Sequence, residues 1–339
     1  MKRAKMLERI MICYAFIGLA ALFTSASTYA LNPSEQYAER KNLLDQVSAL
    51  TGIPWHYLAA IDQYERTLTI ANKQKRPQGK GLSSIYISPA DWSGPLNPNQ
   101  NDTNPTSIQI FGGFGKDGDG DGKADRENDF DVLGSIAHFL LEKGTSWQDF
   151  RIALWEYYHN PRSVQRISQF AKIYATFGTL HLDRRVFPLP PRTNYSYRST
   201  WGAGRSWGGY RIHEGTDIFA GYGVPVRSTS YGVIEIKGWN RYGGWRVGIR
   251  DIQNVYHYYA HLSGFAKGLT VGQVVKPGDV IGWVGSSGYG KPGTQGKFPP
   301  HLHYGLYRDS GLSEWPFDPT PYLHKWERDE RMAKRQKRY

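Results

Sequence analysis

The chain has 339 residues, of which 40% are hydrophobic and 21% charged, so it can form folded cores and is not a disordered tail. At about 150 residues per domain, this length predicts two folded domains with additional segments. Cys13 is the only cysteine, which excludes an intrachain disulfide framework and a Cys-x-x-Cys metal site. The formal net charge of +12 favours an acidic partner such as nucleic acid, an anionic membrane or an anionic wall polymer.

The first 30 residues have the layout of an export signal. Four basic residues precede a mostly apolar run, Ile10–Phe23, which is shorter than the ~20 residues that a membrane span prefers. A cleaved signal and an uncleaved membrane anchor both stay open. Either one predicts an exported protein at the extracellular face of the membrane or in the cell wall. We therefore expect anionic wall polymers or the membrane surface as partners, and no nucleic acid.

The two halves of the chain carry different patterns. Between about residues 37 and 180, helical spacing of apolar residues predicts helices at Ala38–Thr51, Trp55–Tyr64, Asp131–Leu141, Trp147–Tyr158 and Pro161–Phe177. Beyond residue 200, short runs separated by glycines predict a mostly antiparallel sheet. Its strands are expected at Val224–Ser228, Gly232–Lys237, Trp245–Arg250, Val255–Ala260, Val280–Val284 and His301–Leu306. A proline-rich run at 187–191 predicts a stiff linker, and the basic residues 325–339 predict a solvated helix or a tail for an anionic surface.

Five of the ten histidines lie between residues 213 and 303, in the predicted β half. His301 and His303 are two apart in a β-type run, so both side chains leave the same face of the strand. His213 and Asp217 are four apart, which in an extended strand is about 13 Å and too far for ligands about 2 Å from one metal. If they share a metal, the chain must turn between them, and Gly215 permits a turn.

Two histidines and an aspartate would give zinc three protein ligands and leave its fourth position open, as in catalytic sites. Water at that position would ionise near neutral pH. The base or transition-state stabiliser would then be another histidine: His257, His261, or the member of the His301/His303 pair that does not bind metal.

The segment from about residue 194 to 323 resembles the lysostaphin/LytM-type zinc endopeptidases, which cut peptidoglycan peptides. The matching pieces run in order as HEGTDI (213–218), YAHLS (259–263), VGQVVKPGDVIGWVG (271–285) and HLHY (301–304). The resemblance implies that His213, Asp217 and His303 bind zinc. It gives His261 and His301 the catalytic roles of orienting or deprotonating the water and stabilising the oxyanion.

Two features of this half fall outside the family pattern. His257 is not in a matching motif, so we expect it to be structural. The family usually has a short turn before the His-x-His motif, whereas residues 286–300 form a longer loop here, with Lys291 and Lys297. Because that loop borders the groove in the family, the departure bears on substrate choice rather than on metal chemistry.

Acidic residues mark two places in the helical half. Asp62 and Glu65 are three apart in a predicted helix and share one face. The run DGDGDGKAD at 117–125 fits the start of an EF-hand calcium loop, with ligand positions at Asp117, Asp119, Asp121 and Asp125. Asn128 stands where such a loop has a bidentate Glu, so a flexible polar turn is the alternative to a calcium site.

With the segments AAIDQYE (59–65) and DVLGSIA (131–137), these features resemble lysozyme-type lytic transglycosylases of the membrane-bound B kind. The resemblance places Glu65 at the general-acid position, where a protonated carboxyl donates to the glycosidic oxygen. Arg66 stands where the family usually has a small or hydroxylic residue, and a close cation disfavours the protonated form that an acid needs. We therefore expect this domain to hold glycan strands rather than cut them.

The sequence thus predicts a multidomain α plus β protein. Its expected parts are a signal or anchor (1–30), a helical lysozyme-like domain (35–182), a linker (183–195), a mostly antiparallel β peptidase domain (196–324) and a basic tail (325–339). The layout resembles the sporulation L-Ala–D-Glu endopeptidases of spore-forming bacteria, which implies zinc-dependent hydrolysis of that bond in cell-wall or spore-cortex remodelling. Cleavage of a D,D bond or a cross-bridge, and a non-catalytic peptidase-fold scaffold, are the alternatives.

Overall fold

The computed structural model describes residues 32–72, 81–206 and 210–336. The predicted signal or anchor (1–30) lies outside these residues. Within the described ranges, no helix is long and apolar enough to cross a membrane. The described residues from 37 onward form one compact unit, in which helices come first and strands follow, as the two sequence patterns predict.

The described part of the chain has seven helices before its strands. They span Pro33–Thr51 (α1), Trp55–Ala71 (α2), Pro89–Ser93 (α3), Pro105–Ile110 (α4), Asp129–Leu141 (α5), Trp147–Tyr158 (α6) and Pro161–Phe177 (α7). The bounds of α6 and α7 are those predicted, because each has a strong start signal: a capping box at Ser146 and an Asn160 cap followed by Pro161. Helix α2 runs past its predicted end at Tyr64, since Glu65 and Thr67 are buried within it.

Twelve strands and a final helix follow in the described residues. The strands are Tyr195–Tyr197 (β1), Gly204–Arg205 (β2), Arg211–Ile212 (β3), Thr216–Ala220 (β4), Pro225–Arg227 (β5), Gly232–Asn240 (β6), Gly244–Asp251 (β7), Val255–Phe265 (β8), Val274–Val275 (β9), Val280–Val284 (β10), His301–Asp309 (β11) and Glu314–Phe317 (β12); helix α8 spans Thr320–Gln336. The main sheet has the order β1-β4-β11-β8-β7-β6-β9, with β10 beside β5 and β8, and β12 beside β11. Strands β2 and β3 form a separate antiparallel ribbon. The prediction of a mostly antiparallel sheet is confirmed.

The segment expected to be a linker packs into the core of the β half. Phe187 and Leu189 are fully buried there, and Nη2 of Arg227 donates to the backbone carbonyls of both, at 2.6 and 2.7 Å. The prolines stiffen this run, but the apolar side chains that alternate with them are buried in the core. The run is therefore not a spacer. The structure therefore differs from the expected separation of two domains by a linker.

The C-terminal segment, predicted as a solvated helix or a tail, is a helix in its described part, but this helix begins earlier and packs on the sheet. Helix α8 begins at Thr320, before residue 325, and buries Leu323 and Trp326 against the β half. Farther along the helix, Glu330 forms an ion pair of 2.9 Å with Arg227. The basic groups lie on the opposite, exposed face, so the described part of this segment is an amphipathic helix docked on the sheet.

Buried ion pairs join the helical half to the sheet. Arg166 of α7 lies 2.9 Å from Asp309 of β11 and 2.5 Å from Glu235 of β6. Arg250 of β7, which is almost fully buried, pairs with the same Glu235 at 3.3 Å. Charges removed from water are costly unless they are paired, so this network keeps α7 in one position on the sheet.

Candidate metal centre and active site

Strand register brings the predicted site residues together. Strand β11 lies between β4 and β8, so that His303 is directly opposite Asp217 on one side and Ala260 on the other. His301 and His303 line the same cavity, which confirms that both side chains leave one face of β11. The chain turns at Glu214 and Gly215 and enters β4 only at Thr216, which returns His213 to Asp217.

Three donor atoms form a nearly equilateral triangle. Nε2 of His213 lies 2.9 Å from Nδ1 of His303 and 3.0 Å from Oδ1 of Asp217, and the last two atoms are 3.1 Å apart. Ligand bonds of about 2.0–2.1 Å at tetrahedral angles would place such atoms about 3.3 Å from one another. Two imidazoles and a carboxylate are also ligand types that zinc prefers. The donor set therefore fits a zinc ion with an open fourth position.

Neighbouring backbone fixes the two histidines of this triangle. The other ring nitrogen of His213, Nδ1, donates to the carbonyl of Thr200 at 2.8 Å, which leaves the lone pair on Nε2. Gly215 lies against the His303 ring, where an added Cβ would be 2.6 Å from Cε1 of that ring. The glycine is thus needed for close approach of an imidazole as well as for the turn that the sequence predicts.

The carboxylate of Asp217 is ionised by its surroundings. Burial raises the pKa of this group, but the adjacent His213, His303 and His301 hold its pKa far below the usual range. Oδ2, the oxygen outside the triangle, accepts a hydrogen bond of 2.5 Å from Arg205. A permanently charged carboxylate suits a cation site.

A β-bulge aims His261 at the cluster. Between the cross-strand pairs Tyr259–Val247 and Leu262–Trp245, strand β8 has one residue more than β7. His261 lies in this bulge with a φ of 62°, in the left-handed region that β-strands avoid. The extra residue breaks the alternation of side chains, so His261 and His257 leave opposite faces although they are four apart.

His261 and His301 share one hydrogen-bonding arrangement. Nδ1 of His261 lies 2.7 Å from the carbonyl of Ser287, and Nδ1 of His301 lies 2.8 Å from that of Pro299. A carbonyl can only accept, so each Nδ1 carries the proton and each Nε2 carries a lone pair. Burial, with the adjacent His301 and His303, lowers the pKa of His261 to about 3, and burial also lowers the pKa of His301. Both are neutral bases at physiological pH.

The long loop before the His-x-His motif forms one wall of the site. The five site residues line a cavity of about 240 Å³, to which this loop contributes Tyr289 and Phe298. Both rings contact His261, with centroids 6.2 and 4.7 Å from its own. The sequence analysis singled out the lysines of this loop and missed its two aromatic residues. Aromatic side chains among glycines and prolines could have indicated a loop that faces a ligand.

His257 lies on the other face of β8, away from this cavity. It is fully buried, with Nε2 3.0 Å from Oδ2 of Asp251 and Nδ1 2.9 Å from the hydroxyl of Thr229 and 2.7 Å from that of Tyr304. This hydrogen-bonded network agrees with the expectation of a structural histidine.

Glu65 is buried in the helical half. Its carboxylate accepts a hydrogen bond of 2.7 Å from Tyr158, and the residue is only 4% exposed. Arg66 leaves α2 in another direction, where it donates to the carbonyl of Leu82 at 2.8 Å and lies 3.5 Å from Asp62. The Arg66 charge, which the sequence places next to Glu65, is therefore directed towards Asp62 on the adjacent turn of the helix.

The Asp/Gly run assembles differently from the predicted loop. Asp117 and Asp119 place carboxylate oxygens within 4.8 Å of one another and of the buried Asp131, which sequence reasoning missed. Asp121 and Asp125 lie outside this group, and their carboxylates accept from the backbone of Lys123 and Glu127, at 2.8 and 2.9 Å. Burial and the charges of Asp119 and Asp117 raise the pKa of Asp131.

Comparison with known proteins agrees with this site. Residues 211–319 match the profile of Peptidase family M23. The L-Ala–D-Glu endopeptidase of Bacillus subtilis (strain 168) is 57% identical over 298 residues, which are 88% of this chain and 91% of that protein. Lysostaphin of Staphylococcus staphylolyticus is 38% identical over 114 residues, 33% of this chain and 22% of that protein. A solved structure of the lysostaphin catalytic domain from Staphylococcus simulans is 34% identical, covers 39% of this chain and 93% of that chain, and has a TM-score of 0.31.

The matched segment contains all five histidine and aspartate residues that line the cavity. The relative from Bacillus subtilis extends the likeness across the helical half. The chain therefore belongs to peptidase family M23.

Proposed function

We propose that this protein is a zinc-dependent endopeptidase that hydrolyses the L-Ala–D-Glu bond in the stem peptides of peptidoglycan. The observation that carries the proposal is the triangle of His213, Asp217 and His303 inside a cavity that also holds two neutral histidines. The bond is supported by the name and the 57% identity of the Bacillus subtilis relative.

The proposed roles follow from the positions of the nitrogens and oxygens. His213, Asp217 and His303 would hold zinc, which supplies a water of lowered pKa and polarises the scissile carbonyl. His261 and His301 each present an Nε2 lone pair, so either can take a proton from the attacking water. Once protonated, the same nitrogen can donate to the developing oxyanion or to the leaving amine.

Metal analysis and product analysis test this proposal together. The purified protein should retain close to one zinc per chain after mild dialysis, and His213→Ala should lose it. Mass spectrometry of released muropeptides should show cleavage between L-Ala and D-Glu. Products of D,D or cross-bridge cleavage would replace the proposed bond, and a zinc-loaded protein that releases nothing would support the scaffold alternative.

The two catalytic histidines are tested by separating zinc retention from turnover. His261→Ala and His301→Ala should keep zinc and lose about 10²–10⁴-fold in activity, the usual contribution of acid–base catalysis. His261→Asn is the matched variant for the bulge, because Asn tolerates a positive φ better than Ala does. Loss of zinc in His301→Ala, with retention in His303→Ala, would reverse their roles.

We also propose that the helical half is a lysozyme-like domain that holds glycan strands without cutting them. The buried, hydrogen-bonded carboxylate of Glu65 supports binding over acid catalysis, because an acid must reach the glycosidic oxygen. Full-length Glu65→Gln should keep the peptide-cleaving activity of the parent within about threefold. Anhydro-sugar products that disappear in Glu65→Gln would instead identify a second enzyme.

A calcium site in this half is proposed at Asp117, Asp119 and Asp131. The three carboxylates lie close together, and none of their hydrogen bonds in the described residues comes from a basic side chain. This arrangement supports a divalent cation with oxygen ligands. Calcium should raise the melting temperature of the parent and leave that of Asp119→Asn unchanged. If calcium shifts neither, the run is a polar turn.

We further propose export to the outer face of the membrane or the cell wall, through the predicted signal or anchor. The charge of +12 supports contact with anionic wall polymers or lipids. Cell fractionation with and without residues 1–30 tests the location, and expression during sporulation tests a role in the spore cortex.

A further inference from the structure

Two arginines face the active-site cavity from the small ribbon of β2 and β3. Arg205 and Arg211 are directly opposite each other in this antiparallel pair, so their side chains leave the same face of the ribbon. Both line the cavity that contains the zinc-binding triangle. Like charges directly opposite in a pair of strands are destabilising, so this pairing needs an explanation in function.

The surroundings assign different roles to the two guanidinium groups. Arg205 is held by Asp217, at 2.5 Å from Oδ2. Arg211 instead lies against two aromatic rings, with Cζ 5.4 Å from the ring centroids of both Tyr242 and Tyr289, and it donates to the Tyr289 hydroxyl. The two rings and the hydroxyl orient the Arg211 side chain within the cavity.

The position of Arg211 is close to the reacting groups. It precedes His213 by two residues, and the Tyr289 ring that it contacts lies 6.2 Å from the ring of His261. Tyr289 belongs to loop 286–300, the segment that is longer here than in the family pattern. This loop therefore links Arg211 to the catalytic histidine.

We propose that Arg211 binds the free carboxylate of the D-Glu residue at the scissile bond, an inference that rests on the proposed function. A glutamate residue in this substrate gives its nitrogen to the scissile bond and one carboxyl to the continuing chain, so its second carboxyl remains an anion beside the reacting centre. A planar guanidinium matches a carboxylate with two parallel hydrogen bonds. A glycine at the same place offers no such group.

A pair of peptides tests this assignment. Both contain the L-Ala–D-Glu bond, but the free carboxyl of D-Glu is a carboxylate in one and a primary amide in the other. The zinc-loaded parent should cleave the carboxylate peptide with a kcat/KM roughly 10–100-fold higher, as expected for hydrogen bonds to a charged group. Arg211→Gln should lose this preference by slowing on the carboxylate peptide alone, and Arg211→Lys should keep part of it.

Binding to metal-free protein supplies a second measurement. The parent should bind the carboxylate peptide more tightly than the amide in calorimetry, and Arg211→Gln should bind both equally. Arg192→Gln, which removes the same charge from an exposed position of the β half, should behave as the parent does.

The outcomes separate this inference from the proposed function. Equal cleavage of both peptides by the parent would overturn the role of Arg211 and leave the bond assignment intact. If the parent cleaves neither peptide, while releasing other muropeptides, the bond assignment itself is wrong. An unchanged preference in folded Arg211→Gln would likewise overturn the inference.

Discussion

Arg205 holds one carboxylate oxygen of Asp217, Oδ2, at 2.5 Å, and leaves the other, Oδ1, 3.0 Å from Nε2 of His213 and 3.1 Å from Nδ1 of His303. The arginine thereby fixes which oxygen faces the histidines. Partners of this kind orient the ligands of a metal and tune its affinity. They are not themselves ligands, so their loss weakens a site without emptying it.

We accordingly expect Arg205→Gln to lower zinc affinity about 10–100-fold, the usual effect of losing a group that orients a ligand. The physical reason is that Asp217 gains rotational freedom and loses a charge-assisted hydrogen bond. Competition with a chromogenic chelator measures the affinity, and Arg192→Gln controls for the lost charge. Unchanged zinc affinity in Arg205→Gln would show that β4 alone orients the carboxylate.

A single methyl group at residue 215 should disturb the metal centre. In Gly215→Ala the new Cβ would lie 2.6 Å from Cε1 of His303 and 2.7 Å from the carbonyl oxygen of Tyr304, so the imidazole must move. We expect reduced zinc retention. Gly221→Ala is the matched control, because its Cβ would meet only Val224, at an ordinary 3.8 Å. Equal zinc content in the two variants would contradict this explanation of the glycine.

The ion pairs of Arg166 should make the two halves unfold together. Arg166→Ala leaves Asp309 and Glu235 with one partner fewer in a buried place, at a cost of about 3–5 kcal/mol in the free energy of unfolding. Helical circular dichroism and peptidase activity should decline in one coincident transition, in the parent and the variant alike. Arg331→Ala, which breaks an exposed pair with Glu327, should have a much smaller effect on the free energy of unfolding. Separate transitions for helices and sheet would refute the coupling.

Asp62 should give stability a specific dependence on pH. Burial raises the pKa of Asp62, but the charges of Arg40 and Arg66 and a hydrogen bond from Ser84 outweigh it, so the folded pKa lies below the ordinary value. A lowered folded pKa contributes stability above about pH 4, which is lost as the pH falls through the folded pKa. The difference in unfolding free energy between the parent and Asp62→Asn should therefore be largest near neutral pH and shrink below pH 4.

Denaturant titrations at several pH values measure this difference. Asp45→Asn is the control, since its pair with Lys41 is on the surface and worth less than about 1 kcal/mol. A difference for Asp62→Asn that is constant from pH 3 to 7 would exclude the ionised pair as its source.

Periodicity was a sound guide to the regular elements. Five helices and six strands were predicted close to their observed positions, because apolar spacing reports which face is buried. Two-residue spacing also predicted correctly that His301 and His303 share a face. Strands β1 to β4, β9 and β12 were missed, since two to five residues carry too little pattern to identify.

Side-chain alternation does not hold at His261, where a bulge of one residue reverses the faces of β8. No local composition marks such a bulge, because it depends on the pairing with β7. Asp131 was missed as a neighbour of Asp117 for a related reason, since the chain must fold back before α5 brings them together. The buried position of Phe187 between prolines likewise depends on tertiary packing rather than on the composition of the run.

The contacts of Arg166 have a consequence for how bonds would be selected along a wall polymer. Because α7 is fixed on β6 and β11, the helical surface and the three metal-binding residues keep a fixed distance and orientation relative to each other. A glycan strand held by the helices would then keep the attachment point of each stem peptide at a constant distance from the metal-binding residues. Bonds near the sugar and bonds far along the peptide would differ in whether they reach the cluster, so selection would depend on distance as well as on side-chain chemistry.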